Sequence, residues 1–161
     1  MQTFLPLPSF RASAGCLDNR RLGKQRVECK QILLCLGTPI GAHRPKKSSW
    51  QNHPAVIMWA DHPLALLVYG IVVCREWRRR GFRDNLEKEF ARVYYPRRRL
   101  VPAHRYPPWF YDDQFHASHR SNLLRKDRDH YSQFGWTEAH NLPYYWPVIK
   151  DTLHQKDDLS L

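Results

Sequence analysis

The chain lacks a Cys-x-x-Cys pair. Its four cysteines stand at 16, 29, 35 and 74, a spacing that argues against a zinc ribbon or a redox dithiol. They are expected to be free thiols in a reducing compartment. The opening MQTFLPLPSF lacks the basic start and long apolar core of a secretory signal. The longest apolar stretch, PLALLVYGIVVC, is far shorter than the roughly 20 residues a membrane helix needs. A cytoplasmic protein is therefore expected. There is no P-loop, no Gly-x-Ser-x-Gly elbow, no dinucleotide-binding glycine pattern and no His-Glu-x-x-His. No cofactor and no metal are expected. Internal repeats and the apolar–polar alternation of strands are missing as well.

Acidic residues are also scarce. Lys and Arg number 26 against 15 Asp and Glu, a formal net charge of +11. Residues 150–161 hold two Lys and three Asp, so the preceding 149 residues carry +12. That much positive charge repels itself in a folded chain, and a polyanion is the natural compensation. Nucleic acid leads; a membrane surface is weaker, because no segment is both strongly basic and cleanly amphipathic. At 161 residues with 42% hydrophobic content, the chain is long and apolar enough for one domain with a real core.

Hydrophobic spacing predicts an all-α (mainly α) class: a compact single-layer helical domain, residues 1–161, with long irregular loops and a mobile tail from about residue 148. Pro6 and Pro8 deny a helix to residues 1–10. Asp18 can cap a helix that runs to about Leu36 and stops near Gly37, with Leu22, Cys29, Ile32, Leu33 and Leu36 as its core stripe. Residues 38–52 read as a basic loop. Short and long helices are expected after Pro54 and Pro63, the second ending at Gly81. DNLEKEFARVY continues as helix, residues 95–113 read as irregular, and a last helix is expected from about Asp113 to Phe134.

The stretch LDNRRLGKQRVE, residues 17–28, holds one acid among cations. On a helix at about 100° per residue, Arg20, Arg21, Lys24 and Glu28 share a side, with Lys24 and Glu28 as an i, i+4 pair. Two readings stand. One is a solvated, ion-paired face worth a few tenths of a kcal/mol. The other is a cationic surface that holds phosphates around a carboxylate able to move protons or stabilise a cation.

Other constellations are weaker. His116 and His119 lie one helical turn apart, but nothing else supports a metal site; surface histidines facing phosphate or solvent fit better. Trp50, Asn52 and His53 precede a helix N-terminus, which suits either a cap or a bound anion. REWRRRG and YYPRRRLVPAHRYPPWFY interleave arginines with aromatics, as phosphate contact plus base stacking requires, or as a solvated charge run over half-buried aromatics would show. No Ser or Cys has an activating neighbour in sequence. The terminal amine remains as a nucleophile. Its unperturbed pKa is about 7.7–8.0 against about 10.4 for lysine, so much of it is neutral near pH 7.5. Such an amine can form a Schiff base with a sugar carbon.

MQTFLP, LDNRRLGKQRVE, NHPAVIMW, EWRRRG and HASHRSNLLRKDRDHY…LPYYWP, taken together, resemble the pyrimidine-dimer DNA glycosylase (endonuclease V) family, in a bacterial and viral branch. The branch resemblance spans nearly the whole chain. Resemblance to the type enzyme rests on the N-terminus and residues 17–28. The family implies an all-helical, metal-independent DNA glycosylase with abasic-site lyase activity. Its N-terminal amine attacks the sugar of a damaged pyrimidine, and a glutamate on an early helix serves both steps. Carried over, the amine is that of Met1 and the acid is Glu28; in the type enzyme as here, a leucine lies six residues before the acid, here Leu22. Two departures stand out. The type enzyme loses its initiator Met, whereas Gln2 is bulky and predicts retention of Met1. The type enzyme has arginine just before the acid; here Val27 takes that place and Arg26 lies one residue further back.

The resemblance implies double-stranded DNA as partner of a monomer. Arg20, Arg21, Lys24 and Arg26 are candidates for the phosphate backbone, and Trp50 for a wedge that opens the base stack. Asn52, His53, His119 and Lys126 are secondary candidates for phosphate or pocket contacts. Two alternatives remain: a DNA-binding protein with no chemistry, and a glycosylase for a modified rather than a damaged base.

Overall fold

The structure, a computed structural model, describes residues 2–43, 49–99 and 106–147. Within them the chain forms seven α-helices, three short 3-10 turns and no strand. The class is mainly α, as the hydrophobic spacing predicts. Residues 44–48 and 100–105 of the two loops, and the tail expected to be mobile from about 148, lie outside the described residues.

Helix α1 (Phe10–Cys16) is absent from the sequence reading. Ser9 starts it by accepting the Ala12 N–H at 3.2 Å, directly after the two prolines that deny helix upstream. Helix α2 (Asn19–Cys35) begins as expected at Asp18, whose Oδ1 accepts the Arg21 N–H at 3.0 Å. It stops at Gly37, at φ +82, where Gly37 N bonds Leu34 O and Thr38 N bonds Leu33 O. That pair of bonds closes the helix in a left-handed turn that only glycine enters without strain. Helix α3 is one turn, Pro54–Ile57, shorter than AVIMWA suggests. Helix α4 (Pro63–Arg79) follows.

Helix α5 (Leu86–Arg97) runs past the point where irregular structure is expected, because Pro96 falls in its last turn and removes only one backbone bond. The expected final helix is broken. Helix α6 (Asp113–Lys126) ends at Asp127, whose extended backbone at φ −161 interrupts it. The Asp127 side chain then accepts the His130 N–H at 3.1 Å and starts α7 (Arg128–Tyr131).

Helix α4 packs against α1, α2 and α5. Gly23 of α2 lies against Trp77 and Cys29 against Gly70, so α2 and α4 run antiparallel. A Cβ on Gly70 would sit 2.9 Å from the Phe90 ring, so the bare backbone is what lets α4 and α5 close. Arg80 ties α4 to the end of α1, donating to Leu17 O at 2.7 Å and Gly15 O at 3.0 Å. Trp59, Tyr69, Phe90, Phe110, Phe115 and Tyr131 are the largest buried rings. All four cysteines are free thiols. Among the described residues, no helix is long and apolar enough to cross a membrane.

Candidate active site around Glu28

Residues 2–6 are buried and belong to no helix or strand. Buried backbone N–H and C=O groups need partners. The neighbours here are helices, whose own backbones are already bonded internally, so the partners have to be side chains. They come from four helices. Gln2 N donates to Glu28 Oε2 at 3.3 Å, and Phe4 N to Gln25 Oε1 at 2.8 Å. Tyr69 OH donates to Phe4 O at 2.7 Å, and Leu5 N donates to His119 Nδ1 at 2.8 Å. Arg120 donates to Pro6 O at 2.8 Å. Thr3 Oγ1 accepts the indole N–H of Trp59 at 2.9 Å, and Ser13 Oγ closes the segment against Leu7.

Two histidines expected at the surface are part of this seam, and both are fully buried. His116 faces Leu5 O through Nδ1 at 2.7 Å and Phe110 O through Nε2 at 2.8 Å. Both bonds exist together only when each ring nitrogen carries a proton. His119 accepts through Nδ1, so its proton sits on Nε2. Burial, and then the charges of His116 and Arg120, lower its pKa from 6.5 to about 3. His119 is thus a neutral internal acceptor and not a phosphate contact. The sequence reading missed this because no local signal distinguishes a buried histidine from an exposed one on a helix rich in polar residues.

Glu28 is 6% exposed. Besides the Gln2 N–H, its Oε2 receives Gln25 Nε2 at 3.1 Å. Its Oε1 faces Lys24 Nζ at 3.7 Å, and Lys24 is largely exposed. The expected i, i+4 pair therefore exists, on a carboxylate that the rest of the protein has buried. Lys126 shares this region. Burial, then the charges of Arg21, Arg125 and Lys24, depress its pKa, and Glu28 opposes them. Arg21 is partly buried, bound to Asp18 at 2.6 Å and 3.5 Å from Asp127. Burial would raise the Asp18 pKa, but hydrogen bonds from Arg21 and Tyr131 outweigh it and hold the group below its ordinary value.

Arg20 is exposed. Arg26 does not join the cluster. It lies over the Trp77 ring at 4.7 Å, with Asp84 at 3.4 Å and Arg83 O at 3.3 Å. Two residues before Glu28, it is rotated by about 200° on the helix, so it serves the α4–α5 side.

An aromatic edge borders the site. Trp50 lies 5.5 Å from His53, and His53 lies 6.1 Å from Trp146. Tyr144 links Trp146, Phe4 and His119. His53 Nδ1 accepts the Ala55 N–H at 3.1 Å, so the capping role is present. Burial, and after it the charge of the chain's amino terminus, lower its pKa. Asn52 is exposed beside it. Burial pushes the Tyr144 hydroxyl up to about 12; Arg125 and Arg21 oppose this and Glu28 adds to it.

The segment carrying Tyr144 and Trp146 is held along α6. Leu142 N donates to Ser121 Oγ at 3.0 Å, Asn122 donates to Leu142 O at 3.2 Å, and Arg120 binds Glu138. The site reading from sequence did not include Tyr144, Trp146, Arg125 or Gln25. Only Gln25 carried a signal: it interrupts the Leu22–Cys29 core stripe with a polar side chain.

Met1, the expected nucleophile, lies outside the described residues. Its amine is nevertheless three covalent bonds from Gln2 N, a reach under about 4.5 Å. The buried polar atoms without partners include Gln2 Nε2, Gln2 Oε1 and His119 Nε2. Such groups are few in native proteins, and each calls for an explanation. Among the described residues, no three His, Cys, Asp or Glu side chains gather as a metal site would need.

A family model described as pyrimidine dimer DNA glycosylase matches residues 1–90, which carry the buried N-terminal segment, Gln25, Glu28 and Tyr69. No curated protein and no solved structure matches the chain.

Proposed function

Because the chain belongs to the pyrimidine dimer DNA glycosylase family, we propose that it excises a damaged pyrimidine from duplex DNA with its Met1 amine and then nicks the abasic strand. One observation carries the reading: the Gln2 N–H bonds to Glu28, so the residue next to the proposed amine is tethered to a buried carboxylate.

The neutral amine would attack C1′ of the target nucleotide. The glycosidic C1′–N bond breaks and the base leaves with its electron pair, taking up a proton. Glu28 would stabilise the positive charge that develops on the sugar. The nitrogen gives up a proton, O4′ takes one up as the C1′–O4′ bond breaks, and an imine then joins Met1 to C1′. Removal of a C2′ proton, with Glu28 as the base, then expels the 3′ phosphate, and water hydrolyses the imine to free the enzyme. The cations Lys24, Lys126, Arg21 and Arg125 favour the neutral amine and suit the flanking phosphates; Arg20 extends that surface. Trp50, Tyr144 and Trp146 have the flat apolar faces on which an unstacked base can rest.

Borohydride trapping tests this. The protein is mixed with a duplex carrying one abasic site, reduced, and weighed by mass spectrometry. The expected product is a covalent complex mapped to Met1. A lysine adduct would move the nucleophile. No complex, with salt-sensitive DNA binding intact, would leave a binding protein and sink the enzyme reading.

A further inference from the structure

We infer that Gln25 is a positioning residue, which locks the amine-bearing segment and the Glu28 carboxylate into one geometry and leaves Glu28 Oε1 as the working oxygen. The inference rests on the enzymatic reading above. Gln25 is 1% exposed, at a point of α2 where Leu22 and Cys29 on either side are apolar core. A buried amide in that stripe is unfavourable unless fully bonded. Here it is bonded at both ends, to partners of opposite character. Oε1 accepts the Phe4 N–H at 2.8 Å, and Nε2 donates to Glu28 Oε2 at 3.1 Å. Flipping the amide would set N–H against N–H and oxygen against carboxylate, so the orientation is determined. Tyr69 OH, 3.1 Å from Oε1 and 2.7 Å from Phe4 O, closes the group from α4.

Glu28 is thereby made asymmetric. Oε2 takes two neutral donors, the Gln2 N–H and Gln25 Nε2. Among the described residues, Oε1 faces the exposed Lys24 at 3.7 Å. One oxygen anchors and the other is left for chemistry. A side-chain amide supplies an acceptor and a donor at once without charge. Methionine matches the size and supplies neither bond. Glutamate keeps the acceptor for Phe4 but puts a second carboxylate against Glu28.

The experiment compares wild type, Gln25→Met and Gln25→Glu. The rate of borohydride-trapped complex formation is measured at saturating protein on an abasic duplex. Affinity is measured separately on a duplex with a reduced abasic site, which cannot form an imine. Gln25→Met should trap about 100-fold more slowly, the scale of loss from a misplacement of about 1 Å, with affinity within about 3-fold of wild type. Gln25→Glu should recover relative to wild type as pH falls, because one proton shared by the two carboxylates restores the missing donor. A wild-type rate in Gln25→Met, a loss matched by weaker binding, or a Gln25→Glu ratio that does not change with pH would each overturn the inference.

Hydrogen exchange at the Gln2 and Phe4 amides supplies a readout without turnover. Both should be protected in wild type and released in Gln25→Met while the core helices stay protected. If wild type traps nothing, the enzymatic reading falls; unchanged exchange at Phe4 in Gln25→Met would remove the lock itself.

Discussion

Two polar regions of this protein solve opposite problems. The seam around residues 2–7 is buried and built mostly from neutral groups: backbone amides, Gln25, Tyr69, His119 and Ser13. The outer face of α4 and α5 is exposed and built from ions. Arg75 and Arg78 share Glu87, while Arg79 and Arg80 share Glu76. Water screens the pairs made by the exposed Arg75, Arg78 and Arg79, so any one of them contributes little. A buried hydrogen bond has no water to replace it, so losing one partner costs the full desolvation of the other. The seam therefore sets geometry, and the arginine face sets charge. The same hydrogen bonds from Arg79 and Arg80 that hold the Glu76 pKa down leave four cations on two acids.

Substitutions on the two sides should separate widely. The largest effect is expected for Glu28→Gln. It keeps the size and one acceptor oxygen for the Gln2 and Gln25 donors but loses the charge and the base. Turnover on abasic duplex should fall by about 10²–10⁴-fold with DNA affinity retained; unchanged turnover in a rapid-quench assay would remove Glu28 from the chemistry.

An intermediate effect is expected for His119→Phe, which fills the space but orphans the Leu5 N–H, at a cost of about 1–3 kcal/mol near pH 7.5. The pH dependence has a definite sign. Folded His119 titrates at about 3 instead of 6.5. Between those values the unfolded chain holds the extra proton, so the contribution of neutral His119 is present above 6.5 and is lost as pH falls. Wild type should lose stability between pH 7.5 and 5 faster than His119→Phe, and the gap in urea midpoints should narrow. A gap that widens on acidification would show that His119 is charged in the fold.

The smallest effect belongs to the arginine face. Arg79 is 70% exposed and already shares Glu76 with Arg80. Arg79→Ala should leave the urea midpoint close to that of wild type. A loss comparable to His119→Phe would erase the distinction between the two regions.

The helices were readable because their signals are local. Asp18, Pro54, Pro63, Gly37 and Gly81 mark ends through bonds made within a few residues. Helix α1 escaped because Ser9 is a cap without a long periodic stripe behind it. The break at Asp127 escaped because HASHRSNLLRKDRDHY keeps a helical pattern across it. Glu28 was readable as one acid among cations, yet its burial was not. Arg26 and His119 show the same limit: sequence assigned them to the phosphate-facing surface, while the fold turned one toward Asp84 and buried the other.

By itself, the sequence determined a mainly helical chain, a strong positive charge and an acid placed one turn from a lysine, because each depends on composition or on neighbours three and four residues apart. Only the tertiary structure decided that residues 2–6 thread between helices and that Gln25 joins them to Glu28. The reason is physical. A buried segment that forms no helix cannot satisfy its own backbone, and its partners come from as far away as His119, 114 residues along the chain from Leu5. No local pattern encodes which side chain will be waiting there.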